Sequence, residues 1–523
     1  MRVVSAEFAA TLIKSRDTVG ISGSGGSGSP EAILKEILLR YRKTKSPKNL
    51  TVTSGISPGN LTYDDVGMNC LSEEGMVGKA ICAHLGMGKK FGIAIGKNQF
   101  PAFGIPLGVY THLLRAIAGK KPGVLTHVGM NTFVDPRIEA ACENEKAKQI
   151  ESIVKLVNID GEDKLFFPSF PMNVALIKAT YSDTKGNLSL EWEGIIGEQF
   201  QLAAAAHNSG GVVIAQVEKI VEYGTLKAKD VLIPANLVDY VVVATPDKSL
   251  GDYNIPKHIP SLVGKSRMEL DEIKPIELNE RKICARRAMM ELHKGVLVNL
   301  GVGMPELVAN VLNEEGCIDD MTLSIETGIT GGVAQSGVAF GVAYNADSII
   351  GDASMFDLYD GGMLDAAILG LAEVDKEGNV NVSKFGERVT GPGGFINITQ
   401  NTHKIVFMGT FTSGGLKISS NKKGLKIHNE GKNKKFVEKV QQITFSAKNA
   451  IKNKQDITYV TERAVFKLTS RGLKLIEIAP NVDLKRDILS KMDFKPIIAK
   501  DLKIMDKRIF RAQKMNYSLV DKV

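Results

Sequence analysis

The sequence predicts an α/β protein made of two related open α/β halves joined in one chain, and three observations carry that prediction. A strand at Asp17-Thr-Val-Gly-Ile-Ser-Gly23 runs into the glycine-serine loop Ser22 to Ser29 and then to Pro30-Glu31; the same succession returns at Val296 to Gly303 and Met304-Pro-Glu-Leu307. A second echo links residues Ala175 to Asn187 with Ala367 to Asn379. In both, an apolar strand enters an Asp-X-X-Gly-Asn turn (Asp183 to Asn187, Asp375 to Asn379) and returns as an alternating strand, a hairpin signature. Third, 523 residues exceed what one ordinary core accommodates.

In chain order, Ser5 is placed to cap a helix to Ser15, with Phe8, Leu12 and Ile13 on one face. Proline and glutamate suit the opening of the helix at Pro30-Glu31. The loop Gly23-Ser-Gly-Gly-Ser-Gly28 has the look of a dinucleotide loop, but no acidic partner stands at the end of a second strand some twenty residues on, so it is a weak signal. Asn279 to His293 again reads as a helix, with Cys284, Ala288 and Leu292 together. The two echoes are offset by 275 and 192 residues (305 − 30 and 367 − 175), so the first half carries extra sequence, for which Phe91 to Arg137 is the candidate. The join falls near Ser261 to Pro275, after a loop from Gly251 to Pro260, giving halves of 1–262 and 275–523. Thr461 to Phe466 and Leu475 to Pro480 read as late strands before a helical C-terminal region.

Composition narrows the function. An apolar fraction of 43% and a charged fraction of 24% fit a soluble globular chain. No run reaches the roughly 20 apolar residues of a membrane span, and the first residues do not read as a secretory signal; a cytoplasmic protein is expected. Five scattered cysteines without a CxxC pair, and eight histidines without HExxH, argue against a disulfide framework or a metal site. Lysines gather between Lys417 and Lys454, a solvated face or a patch for an anionic cofactor. Without interleaved aromatics they do not suggest nucleic acid.

Met321-Thr-Leu-Ser-Ile-Glu-Thr-Gly328 reads as a buried strand delivering Glu326 into a turn closed by Gly328. Alone, such a glutamate is better explained as a polar strand cap. Its surroundings change that. Asn299-Leu-Gly-Val-Gly-Met-Pro305, Ser324-Ile-Glu-Thr-Gly328, Phe356-Asp-Leu-Tyr-Asp-Gly-Gly362, Gly391-Pro-Gly-Gly-Phe-Ile-Asn-Ile398 and Gly409-Thr-Phe-Thr-Ser-Gly-Gly415 together resemble the motifs of family I CoA-transferases. The likeness covers nearly the whole chain and is strongest to the single-chain type acting on short-chain acyl-CoA with acetate or propionate.

That resemblance implies a CoA-transferase fold of fused α- and β-subunit-like halves, and Glu326 as the residue that becomes a CoA thioester. It implies Gly393 or Gly394 in an oxyanion hole, Gly414 and Gly415 beside the CoA chain, and Lys417 near its phosphates. CoA and acyl-CoA would be substrates, with no tightly bound cofactor, and a homo-oligomer is expected. Two departures stand out. Ile325-Glu-Thr-Gly328 replaces the Ser-Glu-Asn-Gly of relatives acting on 3-oxoacids, which favours acetate or propionate. In Gly104-Ile-Pro-Leu-Gly108, Leu107 stands where the family has a glutamine, so Leu107 and Gly108 are assigned to the acyl pocket, and Leu107→Gln is expected to re-rank acceptors more than it alters stability. His127 and Arg137 are read as structural, and Trp192 as packing between the halves. The rival readings are an acyl-CoA hydrolase using the same glutamyl intermediate and a non-catalytic ligand-sensing protein of related fold.

Overall fold

The computed structural model describes residues 1–59, 64–244, 259–269, 275–335 and 339–521. Most of the Gly251 to Pro260 loop, and part of the Ser261 to Pro275 join, lie outside them.

Eight parallel strands form the first sheet: β1 (Arg2–Val4), β2 (Thr18–Ile21), β3 (Leu50–Ile56), β4 (Val77–His84), β5 (Ala102–Gly104), β6 (Val174–Lys178), β7 (Val212–Val217) and β8 (Tyr240–Val243), in the order β1-β8-β7-β6-β2-β3-β4-β5. The second sheet has ten: β9 (Leu297–Leu300), β10 (Thr322–Ile325), β11 (Ile329–Thr330), β12 (Ser348–Ile349), β13 (Ala366–Gly370), β14 (Lys404–Met408), β15 (Asp456–Val460), β16 (Ala464–Thr469), β17 (Gly472–Ile478) and β18 (Ile497–Ile504). Its order is β12-β11-β10-β9-β13-β14-β15-β16-β17-β18, with a parallel centre from β10 to β15.

The sequence echo becomes a shared topology. In one sheet the order β3-β2-β6-β7-β8, in the other β10-β9-β13-β14-β15, is the same path. Gly20 pairs with Ala175, and Asn299 with Ala367, in equivalent registers. By that register the strands are offset by 279 residues (299 − 20), four more than the Pro-Glu pairs, because the loop is four residues shorter in the second unit. Both loops still feed a helix, α2 (Glu31–Thr44) and α7 (Leu307–Glu315).

The Asp-X-X-Gly-Asn turns are duplicates down to their hydrogen bonds. Asp183 Oδ1 accepts from the N–H groups of Lys185, Gly186 and Asn187; Asp375 Oδ1 accepts from those of Glu377, Gly378 and Asn379. The hairpins they close, Tyr181–Asp183 with Leu188–Ser189 and Glu373–Asp375 with Val380–Asn381, stand in small separate sheets; the apolar strands β6 and β13 end before them.

Other expectations need correction. The first helix is short, α1 (Ala6–Thr11), capped by Ser5, and Phe8 is exposed while Ala9, Ala10 and Ile13 are buried. The C-terminal region forms β18 and short helical turns rather than a longer helix. The extra sequence of the first half supplies α3 (Lys89–Gly96), edge strand β5 and α4 (Leu107–Ala118).

One buried cluster runs across both sheets, joining Leu107, Tyr110 and Phe133 to Phe356, Ile396 and Phe407. Two aligned backbone bonds tie the loop before α9 (Phe395–Asn401) to the first sheet: Leu85 N–H donates to Thr390 O at 2.7 Å and Gly393 N–H to Ala83 O at 2.8 Å.

Candidate active site

Glu326 follows directly on β10, and the chain turns back at Gly328, whose φ is 100°. Gly328 is required there: a Cβ would run into the carbonyl oxygen of Ile350. Three of the sequence motifs converge on this strand end. Tyr359, on α8 (Asp352–Asp360), meets Ser324 Oγ at 2.6 Å and accepts from Asn299 Nδ2 at 3.1 Å, and Asn299 Nδ2 also donates to Ser324 O.

The Glu326 carboxyl, with the residue only 8% exposed, lies on a cleft of about 200 Å³. Asn299, Gly301, Val302, Phe340, Leu369, Val382, the loop Gly391 to Gly394, Phe395 and, from β4 of the first sheet, His84 complete its walls. Burial pushes the Glu326 carboxyl up to about 7; the Gly394 N–H, donating to it, pulls the other way, and the nearby Asp352 charge pushes it further up. A residue other than glycine at 394 would drive its Cβ into the Glu326 carboxylate.

The two glycines assigned to the oxyanion hole are thus not equivalent. The Gly394 N–H faces Glu326, but the Gly393 N–H is committed to Ala83 O and its carbonyl to Leu107 N–H at 2.9 Å. Leu107 itself is buried with its side chain against Gly55, and it is not part of the cleft wall. Gly108 is a contact between helices: its N–H donates to Asn397 Oδ1 at 3.1 Å, and a Cβ would strike Asn397 and Phe356. At this motif the backbone of Leu107, not its side chain, meets the glycine loop.

Gly414 and Gly415, at φ 80° and 99°, open the exposed hairpin that begins at Lys417, away from the cleft wall. His127 is exposed and bonded to Asn401; Arg137 is paired with Asp135 and Asp163. Trp192 is half-buried beneath the Lys265 ammonium, 3.9 Å from its ring centre. All five cysteines are free and buried. Among the described residues no His, Cys, Asp or Glu cluster is arranged to hold a metal, and no helix is long and apolar enough to cross a membrane.

Sequence reasoning passed over His84. Its Nδ1 accepts from Gly86 N–H at 3.3 Å, and burial, with the charge of Arg388, pushes the imidazole down to about 4. It is therefore a neutral ring beside Gly393. No motif marks it, because it reaches the cleft only by contact between the sheets.

This geometry is that of a coenzyme A transferase, and comparison with known proteins agrees. The family model for coenzyme A transferase matches residues 3–244. The chain is 46% identical over 515 residues to the caffeate CoA-transferase of Acetobacterium woodii, covering 97% of each chain. It is 41% identical over 521 residues to the acetate CoA-transferase YdiF of Escherichia coli O157:H7, covering 99% of this chain and 96% of that one. A crystal structure of the latter acyl-CoA transferase as a thioester complex with CoA superposes with a TM-score of 0.92 at 38% identity, covering 100% of this chain and 98% of that one. The chain belongs to the family I CoA-transferases, in their single-chain form, and is an enzyme that uses CoA and acyl-CoA as substrates.

Proposed function

We propose that this enzyme moves CoA from an acyl-CoA to a free carboxylate by a ping-pong reaction through a thioester on Glu326, in a site built from two fused halves, 1–262 and 275–523. The observation that supports it best is the buried carboxylate at the end of β10, facing the Gly394 N–H at the base of a cleft. The Glu326 carboxylate attacks the acyl-CoA carbonyl, giving a mixed anhydride and CoA thiolate. The thiolate attacks the glutamyl carbonyl, which leaves enzyme-bound CoA thioester and releases the acid. An incoming carboxylate reverses both steps. Both nucleophiles, carboxylate and thiolate, are already anions, and the net reaction exchanges one thioester for another, so no metal or external base is called for. The Gly394 N–H is placed to favour charge developing on the Glu326 carbonyl oxygen, and loss of one such donor typically costs about 3 kcal/mol.

For the acceptor, the Ile325-Glu-Thr-Gly328 turn supports acetate or propionate. A second reading has its own observation: Phe340, Phe395, Val302, Leu369 and Val382 give the cleft an apolar and partly aromatic wall, and a relative of 46% identity is named for caffeate. One acyl-CoA donor tested with acetate, propionate and a hydroxycinnamate separates the two readings by kcat/KM. The nucleophile is tested by acyl-CoA without acceptor, followed by borohydride and peptide mass spectrometry. The expected result is reduction at Glu326 alone, with no adduct in Glu326→Gln; a modified residue elsewhere, or full activity in that variant, overturns the assignment. Rapid thioester loss without any acceptor would instead favour a hydrolase.

A further inference from the structure

Behind the Glu326 turn, two carboxyl groups meet that the transfer reaction leaves unused. Glu198 occupies the N-cap of α5 (Gln199–Asn208), Asp352 opens α8, and both are buried. Their carboxyl groups are hydrogen-bonded to each other. Two carboxylates offer only acceptors, so this bond requires a proton. Glu198 comes from the segment that follows β6, with its Oε1 buried beside Gly55 of β3; Asp352 belongs to the second half. A backbone bond reinforces the pairing, Asp352 N–H donating to Ile196 O at 3.2 Å. Two residues earlier, Ile350 N–H donates to Gly328 O at 2.8 Å, and the Ile350 carbonyl fills the space beside Gly328. A chain of contacts therefore runs from Glu198 through Asp352 and Ile350 to the turn that carries Glu326.

We propose that Glu198 and Asp352 form a one-proton latch between the two halves, which holds the Glu326 turn in place and sets the negative charge against which Glu326 ionises. Both are positioning residues, and the proposal rests on Glu326 being the nucleophile. Three buried carboxyl groups so close together cannot all be charged without a cation. Among the described residues, no lysine or arginine stands among the principal influences on any of the three. Burial raises Glu198 and the Asp352 charge raises it further, so Glu198 keeps the proton and donates it to Asp352. The other titratable groups around the pair are Tyr110 and His112 on α4 and Cys82 on β4. Asp357 and Asp360, further along α8, face His112, Arg115 and Asn397.

The sign follows from the proton. As pH rises the pair loses it, two anions face each other, the latch opens, and transfer slows on the alkaline side. Glu198→Gln keeps a donor to Asp352 that does not titrate, so the alkaline fall disappears. Glu198→Ala removes the donor, and activity at neutral pH falls about tenfold or more, a displacement effect that the glutamine variant rescues. Asp352→Asn removes a charge beside Glu326, so the acid side of the profile moves down by about one pH unit.

The test combines pH profiles of kcat/KM for wild type and these three variants with infrared difference spectra of the full-length protein. The spectra are expected to show a buried protonated carboxyl group at neutral pH that Glu198→Gln removes. An unchanged protonated-carboxyl band in Glu198→Gln, or a pH profile of that variant superimposable on the wild type's, overturns the latch. The infrared result is read without turnover, so an error in the nucleophile, exposed by borohydride trapping, is distinguishable from an error in the latch.

Discussion

As the proposed nucleophile, Glu326 has to be ionised to attack, and burial raises its carboxyl to about 7. Below that value kcat/KM is expected to fall about tenfold for each pH unit, because only the anionic fraction reacts. A profile flat down to pH 5 would show that the proton sits elsewhere. Glu326→Asp keeps the charge but withdraws it by one methylene, a misplacement on the order of 1 Å, which can cost about 100-fold. At Leu107 the structure reverses the expectation drawn from the motif. The side chain is buried against Gly55, where the Tyr110 ring and the Glu198 carboxyl also pack, so Leu107→Gln forces an amide into a filled, buried site, at a cost of about 1–3 kcal/mol if it finds no partner. The expected outcome is a lower melting temperature with the ranking of acceptors retained, and a panel of carboxylates run alongside a thermal melt decides between the two.

At the level of elements, glycine positions show what could be read in advance and what could not. The strand, glycine loop and helix units, the Asp-X-X-Gly-Asn turns and the strand before Glu326 depend on local chemistry, namely periodicity, turn residues and positive φ, and these are written in neighbouring residues. The roles of Gly108 and Gly393 depend on elements hundreds of positions away, Asn397 and Ala83, and no local pattern announces them. The same holds for His84, and for Phe8, which lies on the outer side of a helix whose Ala9 and Ala10 pack into the core. A consequence separates two glycines of the same region. Gly394→Ala pushes a methyl into the Glu326 carboxylate and is expected to abolish adduct formation while CoA binding persists. Gly108→Ala wedges α4 away from α8 and α9, by contact with Phe356 and Asn397, and is expected to lower thermal stability as well as activity. Equilibrium binding of CoA measured beside the melting temperature tells the two effects apart.

Across the whole molecule, the repeat that was legible in the sequence accounts for two similar sheets, but their mode of meeting was not legible, since a continuous core and a few buried polar contacts decide it. Glu143 is one of these contacts. It is fully buried beside Gly104, takes a hydrogen bond from Gln442 of the second half at 3.5 Å, and its carbonyl oxygen accepts from Lys384 Nζ at 2.9 Å. Burial pushes its carboxyl up to about 8, with the Lys384 charge and the Gln442 bond acting in the opposite direction. The folded value lies above the ordinary 4.5, so the folded state binds the proton more tightly than the unfolded chain. The stability this group contributes is therefore fully present below about pH 4.5 and is lost as pH rises toward 8, where a buried anion would have to be tolerated. Glu143→Gln keeps an acceptor for Gln442 and has no proton to lose. Melting temperatures of the two proteins should therefore converge at low pH and separate as pH rises, with the variant the more stable at pH 8. Only the difference between the curves isolates this group, because every other carboxylate titrates in both. Parallel curves would mean that Lys384 neutralises an ionised Glu143, and the contact between the halves would then be an ion pair rather than a buried acid.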